Sequence, residues 1–404
     1  TPEEQLAGSA PGATHGAARR ARAAVAERVL MRRRMLPFVQ RFRNNYQAGW
    51  VHKVICHRLE QFSEEVAGEK SPRLLFLLPP RHGKSTLVSE LFPPWHLGKY
   101  PTHEFISASY NISLPVSFSR KIKDILNDPA YQRLFESTRL HPDSQANDQW
   151  LTTEGGGYIA SGVGGGITGR GAHILNIDDP IKNAEEADSL ITRDSLWDWY
   201  GSTAYTRLAP GGGVLWTQTW WNEDDGAGRI QLQMAEDPTA DQFLVVKFPA
   251  VAEEDEYLDD DYRLYRATEG DIPSTAYLVR KRGEPLHADR YTLPMLARIE
   301  KTLTRRHWTA LYQQNPTPDE GLYFTKDNFL PVVDLPGNRA RARGYIYQAW
   351  DFAITDTTRG DYTVGGTIEQ DTDDNFEGRD CVRGKWTDGD TIVDSVETAS
   401  DSAL

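Results

Sequence analysis

Cysteine is almost missing from this chain: Cys56 and Cys381 are the only two in 404 residues, and they lie far apart. That excludes a disulfide framework and a cysteine-based zinc site. Long apolar runs are missing too. No stretch approaches the roughly eighteen residues that a membrane span needs, and the start lacks a charged-then-apolar signal pattern. A soluble, cytosolic chain with no membrane partner is therefore expected. Basic charge also falls short, with a formal net charge of −13, which argues against a protein that coats nucleic acid with its whole surface but leaves room for a local basic face. Core material is plentiful: 39% hydrophobic residues and 11 tryptophans, over a length that accommodates two domains.

The charge is unevenly spread. Residues 1–45 carry nine arginines against Glu3, Glu4 and Glu27, whereas "EEDEYLDDDY" at 253–262 is almost wholly acidic and reads as a solvated loop. The first eighteen residues, rich in Ala, Gly and Pro, read as a flexible leader, and Thr1 in place of Met points to a processed or trimmed chain. From Ala17 to Arg43 an Arg-rich helical pattern follows, either a solvated helix or one that touches DNA or a partner.

Residues 46–66 place Trp50, Val54, Ile55 and Leu59 at helical spacing and lead into "LLFLLPPRHGKSTLVSELF", residues 74–92. A short buried strand, then Gly-Lys-Ser-Thr, then an amphipathic helix is the context of a phosphate loop. Lys84 would reach the β and γ phosphates of ATP, Ser85 would hold Mg2+, and the amides around His82 to Lys84 would point at the anion from a helix start. One position departs from the usual spacing, since Leu78 stands five residues before Gly83 where a glycine is expected.

Further strands alternate with helical segments at "FISAS" (105–109), "HILNID" (173–178), "VLWTQT" (214–219) and "FLVVKF" (243–248). Such alternation predicts an α/β domain with a largely parallel sheet covered on both faces. The second of these segments ends in acid: Asp178 and Asp179 close the apolar strand that begins at His173. A strand-end acid is what a phosphate-loop enzyme uses to hold Mg2+, so Asp178 is the metal candidate. Asp179 would polarise the attacking water, or would cap a helix ahead of Pro180. Arg170, between glycines in "GVGGGITGRGAH", is placed as a charge-neutralising finger, with a surface or DNA-contacting arginine as the alternatives. Thr217 and Thr219 end their strand where hydroxyls could sense the γ phosphate; on their own they read as ordinary strand threonines.

Residues 250–342 are rich in charge, Pro and Gly and read as an irregular connection with one helical patch around 294–312. A second strand-rich block opens at "GYIYQAWDFAI" (344–354), which pairs plausibly with "YTVGGTI" (362–368) through a polar turn. The expected organisation is leader and basic helix 1–45, ATPase domain 46–250, connecting region 251–342 and second domain 343–404.

Taken together, "YQAGWVH", "LLPPRHGKST", "FISASYN", "GITGRGAHILNIDDPIKNAEEADS", "WDWYGSTAYTRLAPGG", "TQTWWNEDDGAG", "WTALYQQNPTPDEG" and "AWDFAITDTTRGDYTVGG" resemble the large terminase subunit of tailed bacteriophages. The resemblance spans residues 46–368. It implies an ATP-driven motor that moves double-stranded DNA into a prohead, working as a homo-oligomeric ring with a portal protein and a small terminase subunit, in the host cytoplasm and transiently docked on the prohead. A proline-containing, Arg-bearing phosphate loop is normal in that family, which accounts for Leu78.

By motif, Arg81, His82, Gly83, Lys84, Ser85 and Thr86 take the place of the ATP loop, Asp178 and Asp179 that of the metal and water acids, and Thr219 that of the coupling position. Tyr46 or Gln47 would lie near adenine. The family usually has Arg, an aromatic or Leu, then His after the coupling threonine, and here Trp220-Trp221-Asn222 departs from it. The second block resembles the terminase nuclease, an RNase H-like fold that cuts duplex DNA with two Mg2+ or Mn2+ ions; Asp351 would be the first ligand and Asp361 an outer one. The later strand and helix that bring the remaining acids in this family do not follow, and Asp388, Asp390 and Asp394 are poor substitutes, so an incomplete nuclease is expected.

Two other readings compete. A DNA-dependent ATPase of helicase or repair type would need a second motor core, which residues 250–404 do not show. A decayed prophage remnant that only binds DNA or partners would not be expected to keep both "RHGKST" and "NIDD" intact.

Overall fold

The structure, a computed structural model, describes residues 11–167 and 171–317, together with the strands at 345–351, 363–370 and 376–384. Two compact units divide the chain, Thr1–Tyr323 and Phe324–Leu404.

The first unit is built on an eight-stranded sheet of β1 (Arg73–Leu77), β2 (Glu104–Ser109), β3 (Leu140–Gln145), β4 (Gln149–Thr152), β5 (Gly157–Gly162), β6 (Ala172–Asp178), β7 (Leu208–Gln218) and β8 (Leu244–Lys247), in the order β3-β4-β5-β2-β6-β7-β1-β8. From β5 to β8 every neighbouring pair is parallel, while β3 and β4 add an antiparallel edge. The expected largely parallel α/β sheet is therefore present. Its central strands are buried along their length because both faces are covered, and the side-chain period of two divides each strand between two cores. Leu74, Phe76, Leu78, Ile174 and Leu215 face one cluster, and Leu75, Leu77, Leu175, Ile177, Val214 and Trp216 face the other.

The first core is covered by α1 (Pro11–Arg33), α2 (Met35–Phe42), α3 (Trp50–Ala67), α4 (Phe92–Lys99), α5 (Ser113–Asn127) and α6 (Pro129–Leu134). Burial follows sequence periodicity in α3, where Val51, Val54, Ile55, Leu59, Phe62 and Val66 form one stripe. The stripe lies so close to β7 that a Cβ on Gly213 would come within 2.6 Å of Phe62. After α7 (Ala184–Asp188), α8 (Leu190–Trp199) and α9 (Gly226–Glu236) cover the second core. Helix α1 starts at Pro11, so residues 11–18, expected as flexible leader, are helical.

Past β8 the chain forms a three-stranded antiparallel sheet, β9 (Glu256–Leu258), β10 (Leu264–Arg266) and β11 (Tyr277–Arg280), in the order β10-β9-β11, then α10 (Leu293–Thr302) and further turns to Tyr312. This corrects the expectation of a solvated acidic loop. Glu256 is buried, and its two carboxylate oxygens pair with Arg266 and Arg280, each at 2.7 Å. Two arginines on neighbouring strands supply the charge and donors that a buried carboxylate needs.

In the second unit β12 (Tyr345–Asp351), β13 (Thr363–Gln370) and β14 (Phe376–Gly384) form an antiparallel meander. Asp351 ends β12 opposite Val364. Asp361, Asp388, Asp390 and Asp394 lie outside the described residues. Among the described residues no helix is long and apolar enough to cross a membrane.

Candidate nucleotide site

Three strand ends converge on one point because β7 lies between β1 and β6 in the sheet. The loop after β1, the acids after β6 and Thr219 after β7 therefore meet at the carboxyl edge, where parallel α/β sheets place their ligands.

Leu78 is explained by this geometry. Its side chain is buried in the first core and its amide reaches Gln218 O at 3.4 Å, so it prolongs β1 where a glycine would begin the turn earlier. The left-handed positions fall at Arg81 (φ 61°) and Gly83 (φ 88°), and the helix starts at Lys84. A turn of this kind exposes successive amides to an anion. A Cβ at Gly83 would sit 3.4 Å from both His52 Nε2 and Tyr46 Oη, so these two side chains lie against the loop.

Lys84 Nζ lies 2.9 Å from Thr219 Oγ1 and 2.8 Å from Asp179 Oδ2. Asp179 is itself held in a left-handed conformation, φ 44°, its amide donating to Thr217 O at 2.8 Å and its carbonyl accepting from Tyr110 N at 3.2 Å. Non-glycine residues in this region are strained by roughly 1 kcal/mol or more and persist where surroundings over-determine them.

Asp178 is fully buried and accepts from Ser85 Oγ at 3.1 Å and Ser89 Oγ at 2.8 Å. Ser85 and Ser89 are one helical turn apart at the entry to a π-helical turn, Thr86–Leu91, and so present hydroxyls on one face. Asn176 Nδ2 joins Ser89 Oγ (3.0 Å) to Ser107 Oγ (3.2 Å), fixing Ser89 from behind. Burial, and then the charge of Asp179, push the Asp178 carboxyl up to about 7. Of two adjacent carboxylates, Asp179 pairs with Lys84, while Asp178 faces the Ser85 hydroxyl. This donor set fits Mg2+, which prefers oxygen and takes most of its shell from water and phosphate. Among the described residues no cluster of three His, Cys, Asp or Glu could cage a metal alone.

Five rings pack behind the loop. His82 is buried, donates from Nδ1 to Pro80 O at 2.9 Å and stacks on Tyr291 with ring centroids 4.6 Å apart. His52 meets Tyr46 edge-on at 5.5 Å and His287 at 4.8 Å. Burial holds the His52 and His82 imidazoles down, to about 4 in each case.

Of the residues expected from sequence, Ser85, Asp178, Lys84, Asp179 and Thr219 come together directly, and His82 and Gly83 form their loop. Arg81 is exposed at the turn and Thr86 is half-buried at the start of the π-helical turn. Tyr46 lies beside Gly83, whereas Gln47 is exposed. Arg170 lies outside the described residues. Ser89, Asn176, Tyr291 and Gln314 were not anticipated. Ser89 had one signal, its place four residues after Ser85; the others are joined to the site only by the fold.

A parallel sheet with this loop and these strand-end acids defines the phosphate-loop class of nucleotide-binding α/β proteins. Residues 75–329 match the family described as terminase large subunit, T4likevirus-type, N-terminal, and the chain belongs to that family. No curated protein matches it. Among solved structures, the large terminase of a thermophilic bacteriophage is similar at 11% identity and a TM-score of 0.34, covering 84% of this chain and 74% of that one. The same terminase in complex with ADP gives 12% identity and 0.33, and with ATP-γ-S 12% and 0.31, with the same coverage.

Proposed function

We propose that the chain is the ATP-hydrolysing motor subunit of a phage DNA-packaging machine. The observation that carries this reading is the meeting of Lys84, Asp179 and Thr219 at the edge where Ser85 and Asp178 also face each other. The loop amides and Lys84 bind the β and γ phosphates. Asp179 orients the attacking water and receives its proton as the bond to the γ phosphorus forms and the bond to the bridging oxygen breaks. Ser85 and Asp178 would hold Mg2+, which neutralises charge on the phosphate oxygens. Tyr46 would lie at the adenine. Arg170 is the proposed finger, supplied to its own site or to a neighbour's.

The same reading assigns double-stranded DNA, a portal protein and a small terminase subunit as partners, in a homo-oligomeric ring docked on the prohead in the host cytoplasm. DNA contacts in a motor go mainly to phosphates, so binding falls steeply with salt. For the second unit the reading is an RNase H-like fold with Asp351 as a ligand for Mg2+ or Mn2+; efficient Mn2+-dependent plasmid cleavage that is lost in Asp351→Ala would show that the acids expected to be missing are in fact supplied. The motor itself is tested by ATP-dependent protection of DNA inside purified proheads. Protection by wild type and none by Lys84→Ala supports it; ATP hydrolysis with no protection, portal and small subunit being supplied, would favour the helicase or repair reading.

A further inference from the structure

Past the end of β7 the chain leaves regular structure, yet its successive amides are each held by a side chain. Thr219 N donates to Asp179 Oδ1 at 3.0 Å and Trp220 N to Gln314 Oε1 at 3.1 Å. Trp221 N and Asn222 N both donate to Asp225 Oδ2, at 3.2 and 3.3 Å. Asp225 is anchored as the N-cap of α9, where its other oxygen takes the amides of Ala227 and Gly228. Asp179 belongs to the site. Gln314 comes from elsewhere, 94 residues from Trp220 in sequence.

Gln314 is held as firmly as Asp225. It is completely buried, its Nε2 donates to Leu311 O, and it sits at φ 53°. A left-handed glutamine is strained, and the surroundings that hold it are visible. The adjoining Gln313 exchanges two hydrogen bonds with the backbone of Val251, at 3.1 and 3.0 Å, in the manner of a paired strand. Glutamine is suited to the position because one end accepts while the other donates, whereas an apolar residue would leave the Trp220 amide without a partner.

We infer that Gln314 is a positioning residue for ATP hydrolysis: by fixing the Trp220 amide it sets Thr219, whose hydroxyl meets Lys84 and whose amide meets Asp179. The proposal rests on the ATPase reading above. It gives the Trp220-Trp221-Asn222 stretch, which departs from the family pattern, a role through its backbone instead of its side chains.

The test compares kcat and KM for ATP in Gln314→Leu, which removes the acceptor at similar volume, and Gln314→Glu, which keeps it. Displacing groups at a phosphoryl-transfer site by a fraction of an ångström to one ångström lowers turnover, so Gln314→Leu should lose about tenfold or more in kcat with KM changed less than about twofold. Gln314→Glu keeps the acceptor for Trp220 but gives up the donor to Leu311, so it should retain more turnover than Gln314→Leu without reaching wild type. Wild-type turnover in Gln314→Leu, or equal loss in both variants, overturns the proposal. Should Gln314→Leu fail to fold, amide exchange in Gln314→Asn decides: faster exchange at Trp220 with Trp221 and Asn222 unchanged supports it, and no change at Trp220 overturns it. Lys84→Ala run alongside separates the two levels, because hydrolysis surviving in Lys84→Ala removes the ATPase reading itself.

Discussion

Lys84 and Asp179 are ion-paired at 2.8 Å, an arrangement that joins a residue of the loop after β1 to one at the end of β6 across the intervening β7. A lysine ammonium has three donors. Lys84 can therefore hold Thr219, Asp179 and a phosphate oxygen together, so a nucleotide contact at Lys84 bears directly on the water-orienting acid and the strand end.

Asp178 shows the cost of such a site. A carboxyl that burial and Asp179 push up to about 7 opposes folding whenever it is ionised. Asp178→Asn should accordingly raise the thermal stability of the nucleotide-free protein at pH 8, by on the order of 1–3 kcal/mol, while abolishing Mg2+-dependent hydrolysis. Scanning calorimetry together with a phosphate-release assay reads both; a less stable variant contradicts the account.

Ser89 is not among the residues expected to bind a ligand, yet it donates to Asp178 and accepts from Asn176. Ser89→Ala leaves Asn176 and Asp178 each short of a partner, which should destabilise by about 1–3 kcal/mol. Urea unfolding measures the loss, and Mg2+ titration of ATP hydrolysis should show a requirement displaced to higher concentration.

The pH dependence has a specific source in His52. Its Nδ1 accepts the Gly49 amide at 2.9 Å, and burial holds its pKa near 4, below the 6.5 of an exposed imidazole. The unfolded chain thus takes up this proton first as pH falls, so the stability His52 contributes is complete above pH 6.5 and is lost down to about pH 4. Between pH 7 and pH 5, wild type should lose on the order of 2 kcal/mol relative to His52→Gln. Parallel urea titrations at the two pH values test it, and parallel slopes would contradict it.

Glu256 makes a different prediction. Removing the carboxylate shared by Arg266 and Arg280 leaves two buried guanidinium groups uncompensated, so Glu256→Ala should cost roughly 3–5 kcal/mol. Near-wild-type unfolding in that variant would mean the small sheet does not depend on the pair.

The same residue marks what the sequence conceals. The strands of the parallel sheet were legible because their apolar runs are continuous, and the site acids because each ends such a run. Strand β3, "LHPDSQ", is polar and lies at an edge, so it carries no periodic signal. Strand β9 is hidden in an acidic run because Glu256 is neutralised by arginines ten and twenty-four residues downstream. Gln314 and Tyr291 reach the site only through folding of a region that reads as irregular. Lys84, Ser85, Asp178, Asp179 and Thr219 were legible because strand-loop geometry ties local sequence to position; their supports are long-range contacts.

The central claim is that the Lys84–Asp179–Thr219 meeting point hydrolyses ATP. The most direct measurement is steady-state phosphate release from ATP and Mg2+ by the full chain, compared with Lys84→Ala and Asp179→Asn at matched folding. Loss of about a hundredfold or more in both variants is the predicted result. Turnover within about threefold of wild type in Lys84→Ala would contradict it.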